Sequence, residues 1–174
     1  MCASSAGFAL MPRTFLGRLQ IEYSLWTRDV EAEILPLCRE LGIGFVGYSP
    51  LGLGFLTGNV VDIAALCVGD ARRNMPRFQA DNLRRNLELV EELKKLAAVE
   101  KCTPTQLAIA WVLSRAPYIA PIPGTSHRPR LEENAAAASL KISADTEAAL
   151  LKVFAPGAAS GLRYPENHLV RLGI

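Results

Sequence analysis

Two short segments hold residue types suited to binding a phosphate. The first is Gly47-Tyr48-Ser49-Pro50-Leu51-Gly52, where an apolar run stops at a Ser-Pro pair. The second is Ile122-Pro123-Gly124-Thr125-Ser126-His127-Arg128-Pro129-Arg130-Leu131-Glu132-Glu133-Asn134, where small residues lead into a helical pattern. Small residues ahead of a helix leave backbone N–H groups free at the positive end of the helix dipole, which suits a phosphate. Arg130 follows within a turn and carries a planar fork that matches phosphate oxygens in pairs. Arg130, Glu133 and Asn134 fall at i, i+3 and i+4 and share one helix face. The same residues also fit a plainly structural reading: Thr125 and Ser126 as N-caps, Arg130–Glu133 as a surface ion pair, Tyr48 as an aromatic at a strand end.

Other chemistries find less support. Gly52-Leu53-Gly54-Phe55-Leu56-Thr57-Gly58 follows a strand but is spaced G-x-G-x-x-x-G, opens no clear helix, and has no acidic residue at the end of a following strand. That excludes a doubly wound nucleotide fold. Cys2, Cys38, Cys67 and Cys102 are widely spaced and do not cluster with His127 or His168, so no zinc-type site is expected. Reduced, mostly buried thiols of a cytosolic protein are the expectation instead.

The elements that must position the two segments can be read from periodicity. Leu19, Ile21, Tyr23 and Leu25 alternate with polar residues, as in a strand. Ile34, Leu37, Cys38 and Leu41 form the buried stripe of a helix ended by Gly42. Residues 44–48 read as a buried strand, and residues 49–76 as a long glycine-rich loop, a length that is usually functional or disordered. Leu87, Val90, Leu93, Leu96 and Ala97 mark a helix with Glu91 and Lys95 paired on its exposed side. Thr103-Pro104-Thr105-Gln106 is a capping box that opens an all-apolar, buried helix over 106–115. A third strand over 118–122 and helices over 129–138 and 144–154 follow, then an irregular tail. Strands alternating with helices give an α/β fold with a parallel sheet of three strands.

The chain has 174 residues, 50% of them apolar, and a net charge of +2. That bounds it to a globular body and argues against nucleic acid or anionic membrane as a partner. No apolar run is long enough to cross a bilayer. Residues 1–18 hold two arginines and no acid, which predicts a poorly structured leader with a faint transit-peptide flavour. The length falls below the roughly 200 to 400 residues of a closed eight-stranded β/α barrel.

Taken in order, Gln20-Ile21-Glu22-Tyr23-Ser24-Leu25-Trp26, Tyr48-Ser49-Pro50-Leu51-Gly52, and Ile122-Pro123-Gly124-Thr125 with Leu131-Glu132-Glu133-Asn134 resemble the aldo-keto reductase family. Pro76-Arg77-Phe78-Gln79, Gln106-Leu107-Ala108-Ile109-Ala110-Trp111 and Arg163-Tyr164-Pro165-Glu166 are similar to its auxin-induced and perakine-reductase-like plant branch. The resemblance covers residues 19–174 as the C-terminal part of an NADP-dependent oxidoreductase domain. It implies part of a (β/α)8 TIM barrel, strands six to eight with their helices.

The resemblance also implies roles. Gln20 would bond the nicotinamide carboxamide and Tyr48 would stack on its ring. Ser49, Leu51 and Gly52 would line the pyrophosphate of NADP(H). Thr125, Ser126 and Arg130 would hold the 2′-phosphate, with Glu133 and Asn134 on the adenine, and Gly124 is a further cofactor-binding position. Leu53 and Gly124 depart from residues common in the family, arginine and lysine respectively. The family's catalytic Tyr, Lys, Asp and His have no counterpart in residues 1–18 or beyond, so no catalytic residue is assigned. The parent activity is reduction of an aldehyde or ketone by hydride from NADPH, on a carbonyl substrate that this chain would handle only if completed by an N-terminal half. A non-catalytic NADP(H)-binding or protein-interaction module and a fragment without function remain alternatives. An apolar inner sheet face with unpaired edges predicts self-association.

Overall fold

The computed structural model describes residues 17–59 and 62–169. The predicted leader therefore lies outside the described residues except at Gly17 and Arg18, and Arg18 opens the first strand. The strands are β1 (Arg18–Glu22), β2 (Gly44–Tyr48) and β3 (Ile119–Ile122). The helices are α1 (Ile34–Leu41), α2 (Ala80–Val99), α3 (Pro104–Ser114), α4 (Arg128–Ala136), α5 (Ala144–Val153) and the short α6 (Glu166–Leu169). The sheet runs β1-β2-β3 with both pairs parallel, as expected from alternating strands and helices.

The register sorts side chains between two faces. Phe45 and Ile119 are paired across β2 and β3, and both are buried under the helices. Gln20, Val46 and Ala120 form one row of the other face, and Glu22, Tyr48 and Ile122 the next. This second face is open along much of its length: Gln20 and Ala120 are exposed, and Ile122 is 47% exposed.

The core is aromatic. Trp111 and Tyr23 pack with ring centroids 5.5 Å apart, Tyr23 meets Phe45 edge-on at 6.0 Å, and Trp26, Phe55 and Phe78 form a second group. Helix α3 buries Thr105 and the six consecutive apolar residues from Leu107 to Val112, as an apolar run without a polar face demands. Its capping box is formed: Thr103 Oγ1 accepts the Gln106 N–H, and the Gln106 side chain accepts the Thr103 N–H, both at 3.1 Å.

Several expectations need correction. The alternation from Leu19 to Leu25 predicts a longer strand, but β1 stops at Glu22. Ser24 Oγ accepts the N–H groups of Trp26 and Thr27 at 3.1 and 3.2 Å and turns the chain there. In α1 the buried positions are Leu35 and Cys38, while Leu37 and Leu41 are 48% and 59% exposed, because this eight-residue helix meets the sheet along a narrower ridge than its apolar stripe. On α2 the pairs formed are Arg84–Asp81, Lys94–Glu91 and Lys95–Glu92, all at i,i+3; the expected Glu91–Lys95 pair at i,i+4 is not among them. Cys67 lies exposed in the β2–α2 loop and Cys102 is half-buried, so among the described residues only Cys38 meets the expectation of a buried thiol; Cys2 lies outside them. No helix among the described residues is long and apolar enough to cross a membrane.

The C-terminal tail is tied down by α2. Asn86, fully buried, donates to the carbonyls of Arg77 and Ser160 at 2.9 Å and accepts the Ser160 N–H at 2.8 Å. The Ser160 hydroxyl donates to Asn82 Oδ1 at 2.7 Å.

Candidate functional site

β2 and β3 end side by side, with Tyr48 opposite Ile122. The loops leaving these two ends enclose a cleft of about 570 Å³. Seven of the residues singled out by sequence line it: Ser49 and Leu51 from the first loop, and Gly124, Thr125, Arg130, Glu133 and Asn134 from the second. Crevices at the C-terminal ends of parallel strands are where such folds bind ligands.

The first wall is a chain of tight turns. Gly52 N–H reaches the Ser49 carbonyl at 2.9 Å, and Gly54 N–H reaches that of Leu51 at 3.0 Å. Ser49 and Leu53 take positive φ (50° and 57°), a conformation uncommon for residues with a Cβ and held here by the surrounding turns. Gly52 also has positive φ, and a Cβ there would lie 2.9 Å from the Trp26 ring, so the position requires glycine. Gly52 thus packs on Trp26 rather than lining the cleft.

The second wall is the start of α4. His127 is the N-cap residue, one position after Ser126 and two after Thr125. Thr125 Oγ1 accepts the His127 N–H at 3.1 Å, which turns the chain into the helix. The Ser126 hydroxyl sits 3.3 Å from His127 Nδ1 and is absent from the cleft wall. Pro129 in the first turn gives up no needed N–H. Arg130 is exposed and forms no ion pair among the described residues; the pair formed at this end is Arg128–Glu132. The alternative Arg130–Glu133 pair is not made. Glu133 instead accepts the Thr103 hydroxyl at 2.6 Å, tying α4 to the cap of α3. Asn134 is buried beneath this face.

Gln20 and Tyr48 are not part of the cleft lining. They lie on the open sheet face, Gln20 exposed and Tyr48 half-buried. Tyr164 of the tail stands next to Tyr48. Tyr164 in turn donates to Glu22 at 3.3 Å, and burial followed by the Glu22 charge pushes its phenol well above the ordinary range. Glu22 is itself buried, with Thr27 donating to it at 3.0 Å and Arg163 lying 3.6 Å away. Burial raises its pKa above the ordinary carboxylate value; Arg163 and Arg77 only partly offset that. This network fixes the tail beside the aromatic ring of Tyr48.

Some site residues escape a sequence reading. Arg72 lines the cleft from the long loop, and Asp70 accepts both its backbone N–H and its guanidinium. The signal was an Asp two residues before an Arg, an N-cap pattern hidden in a stretch without periodicity. Glu22 was visible only as the first acidic residue of the chain, because its partners are distant in sequence.

The comparisons with known proteins agree with one another. The profile of the aldo/keto reductase family matches residues 16–153. The chain is similar to a probable aldo-keto reductase from Glycine max, 44% identical over 146 residues, which are 84% of this chain and 42% of that protein. It thus spans less than half the length of that relative. Among solved structures it superposes on the glycerol dehydrogenase of Gluconobacter oxydans with a TM-score of 0.73 at 23% identity, covering 82% of this chain and 43% of that one. On an aldo-keto reductase from Klebsiella pneumoniae in complex with NADPH the TM-score is 0.56 at 23% identity, covering 79% and 39%. Its three-stranded parallel sheet with flanking helices is therefore an arc of the TIM barrel these proteins share. A profile match over more than half of the chain and the Glycine max relative lead to one conclusion: the chain belongs to the aldo-keto reductase family.

Proposed function

We propose that this chain is the NADP(H)-binding part of an aldo-keto reductase of the plant auxin-induced and perakine-reductase-like branch. One observation carries the reading: two segments more than seventy residues apart in sequence meet at one cleft with a free cation, small residues and a helix start. Those donors suit a phosphorylated dinucleotide. Arg130 is unpaired among the described residues, Gly124 has nothing within 4 Å of where a Cβ would stand, and Thr125 lines the cleft just ahead of α4.

In this reading Arg130 and Thr125, with Gly124 beside them, hold the 2′-phosphate, and Ser49 and Leu51 line the pyrophosphate; Ser126 and Gly52, off the cleft wall, shape the two turns that carry these residues. Glu133 and Asn134 border the adenine. Gln20 and Tyr48, on the neighbouring open face, take the nicotinamide, Gln20 by its carboxamide and Tyr48 by its ring. The bound cofactor would supply hydride to an aldehyde or ketone carbon. The carbonyl oxygen must then receive a proton from a positioned acid. Tyr23 is not that acid: it is buried and its hydroxyl donates to Glu31 at 2.7 Å. Tyr164 is committed to Glu22. The acid, and much of the substrate pocket, would come from a further segment of the family domain, so turnover by this chain alone is not expected. A reduced cytosolic setting is part of the proposal and rests on the free thiols of Cys38, Cys67 and Cys102.

The test is to mix the purified chain with NADPH and a generic aldehyde and to follow nicotinamide absorbance. No loss beyond the enzyme-free control is expected, while clear turnover would contradict the assignment of the acid to another segment.

A further inference from the structure

A smaller cavity shares Leu53 with the cleft and holds about 10 Å³, room for one water-sized atom. Glu22, Trp26, Arg77, Arg163 and Tyr164 line it, and their donors outnumber the acceptors offered to them. The Trp26 indole N–H is buried and has no partner among the described residues. Arg77 donates from Nη1 to the Thr27 hydroxyl at 2.9 Å and from Nε to the Gly161 carbonyl at 3.4 Å, but its Nη2 bonds to no described residue. The Arg163 side chain is only 13% accessible, yet its ion pair with Glu22, at 3.6 Å from Nε, is too long for a hydrogen bond. The Glu22 oxygens serve the hydroxyls of Thr27 and Tyr164 instead. Both guanidinium groups are held on aromatic rings, Arg77 5.6 Å from the Trp26 centroid and Arg163 5.3 Å from that of Tyr164. The rings steady the two planes and leave N–H edges unspent. Buried donors without acceptors are rare and call for a partner. Burial lowers the Arg77 pKa; Glu22 and Asp29 only partly offset that, and Arg163 adds to it as a like charge. A bound anion would satisfy the indole and both guanidinium groups at once.

We propose that this cavity is a carboxylate-binding site, and that the substrate is a small oxo acid, an aldehyde or ketone whose carboxylate is held by Arg77, Arg163 and the Trp26 indole. The substrate half of this rests on the reading of Tyr48 as the platform for the nicotinamide. Position links the two: Glu22 and Tyr48 are partners across β1 and β2, and Tyr164 stands next to Tyr48. An acid held in the cavity therefore lies at the nicotinamide end of the site. The cavity is too small for a phosphate but takes one carboxylate oxygen, and Leu53 and Phe78 flank it with carbon suited to the rest of the ligand. The planar fork of arginine matches a carboxylate, which a lysine in either place would not.

Sodium butyrate and its neutral counterpart butyramide, titrated into the full chain at constant ionic strength, test the site by NMR. The chain has two tryptophans, Trp26 and Trp111, so two indole N–H signals are expected, and Trp26→Phe assigns them. Butyrate should move the Trp26 signal saturably and leave that of Trp111 in place; butyramide should move neither. Arg163→Gln should raise the Kd for butyrate about tenfold or more, and Arg163→Lys should recover part of the loss. A Trp111 signal at its wild-type position shows that each variant has folded. The site is overturned if butyrate leaves the Trp26 signal unmoved, if butyramide moves it equally, or if folded Arg163→Gln binds butyrate as wild type does. A second titration with saturating NADP+ tests the substrate class: butyrate should still bind, and its expulsion would overturn the oxo-acid assignment. If NADP+ itself does not bind, the cofactor reading fails and the oxo-acid assignment with it, while the butyrate titration still decides the carboxylate site.

Discussion

Arg130 and Glu22 carry the site in opposite ways. Arg130 is exposed and unpaired among the described residues, so removing it leaves no buried partner stranded. Arg130→Ala should leave thermal stability unchanged. It should cost roughly 1.5–3 kcal/mol of NADPH affinity, the range for a hydrogen bond to a charged group, with little change for NADH. Competitive titration of the two cofactors reads this directly, and an equal loss for both would place Arg130 away from the 2′-phosphate. Glu22 is buried and its pKa is raised. The ionised carboxylate therefore carries a desolvation cost in the folded state that it lacks in the unfolded chain. As pH falls from neutrality, the folded state takes up its proton first, before the unfolded chain titrates near 4.5, and the cost is relieved. The melting temperature of wild type minus that of Glu22→Gln should thus become more positive on acidification through that window. A difference that shrinks would mean that Arg163 and Arg77 outweigh burial. Arg130 was legible in the sequence because it follows Gly124-Thr125 within two turns. Glu22 was not, because Arg77, Arg163 and Tyr164 reach it only through the fold.

At the scale of elements, helix α2 does more than cover the sheet. Through Asn86 it joins the loop before it to the tail after α5. Asn86→Ala leaves two carbonyls and an N–H without their partner, so it should destabilise by about 1–3 kcal/mol, and it should release the segment around Ser160 to hydrogen exchange. Protection there that matches wild type would show that another contact holds the tail. α3 and its capping box were readable outright, because Thr103 and Gln106 satisfy each other locally and the apolar run leaves no alternative to burial. The end of β1 was not: Tyr23 and Leu25 are buried as the alternation suggests, but so are Ser24 and Trp26, in a turn that Ser24 builds. The long loop looked featureless for a related reason. Its order comes from Asp70 accepting the Arg72 guanidinium and from Arg72 and Arg73 donating to backbone carbonyls, which leaves no period to detect.

For the whole molecule, the parallel order of three strands followed from strand–helix alternation, and the ordered motifs identified the family and with it an open inner sheet face, but neither named the residues on that face. The register does. Gln20, Val46, Ala120 and Ile122 share a face that the described helices do not cover, and the chain spans 42% of its Glycine max relative. We expect this face, with the outer edges of β1 and β3, to drive self-association. Size-exclusion chromatography across a concentration series should show species larger than a monomer, and a sharp monomer peak at all concentrations would contradict that. The central claim is that the loops after β2 and β3 form a cofactor site within this chain. Calorimetric titration of NADPH into the purified protein tests it most directly. Saturable binding with one site per chain is the result expected; heats no greater than dilution at every concentration reached would contradict it.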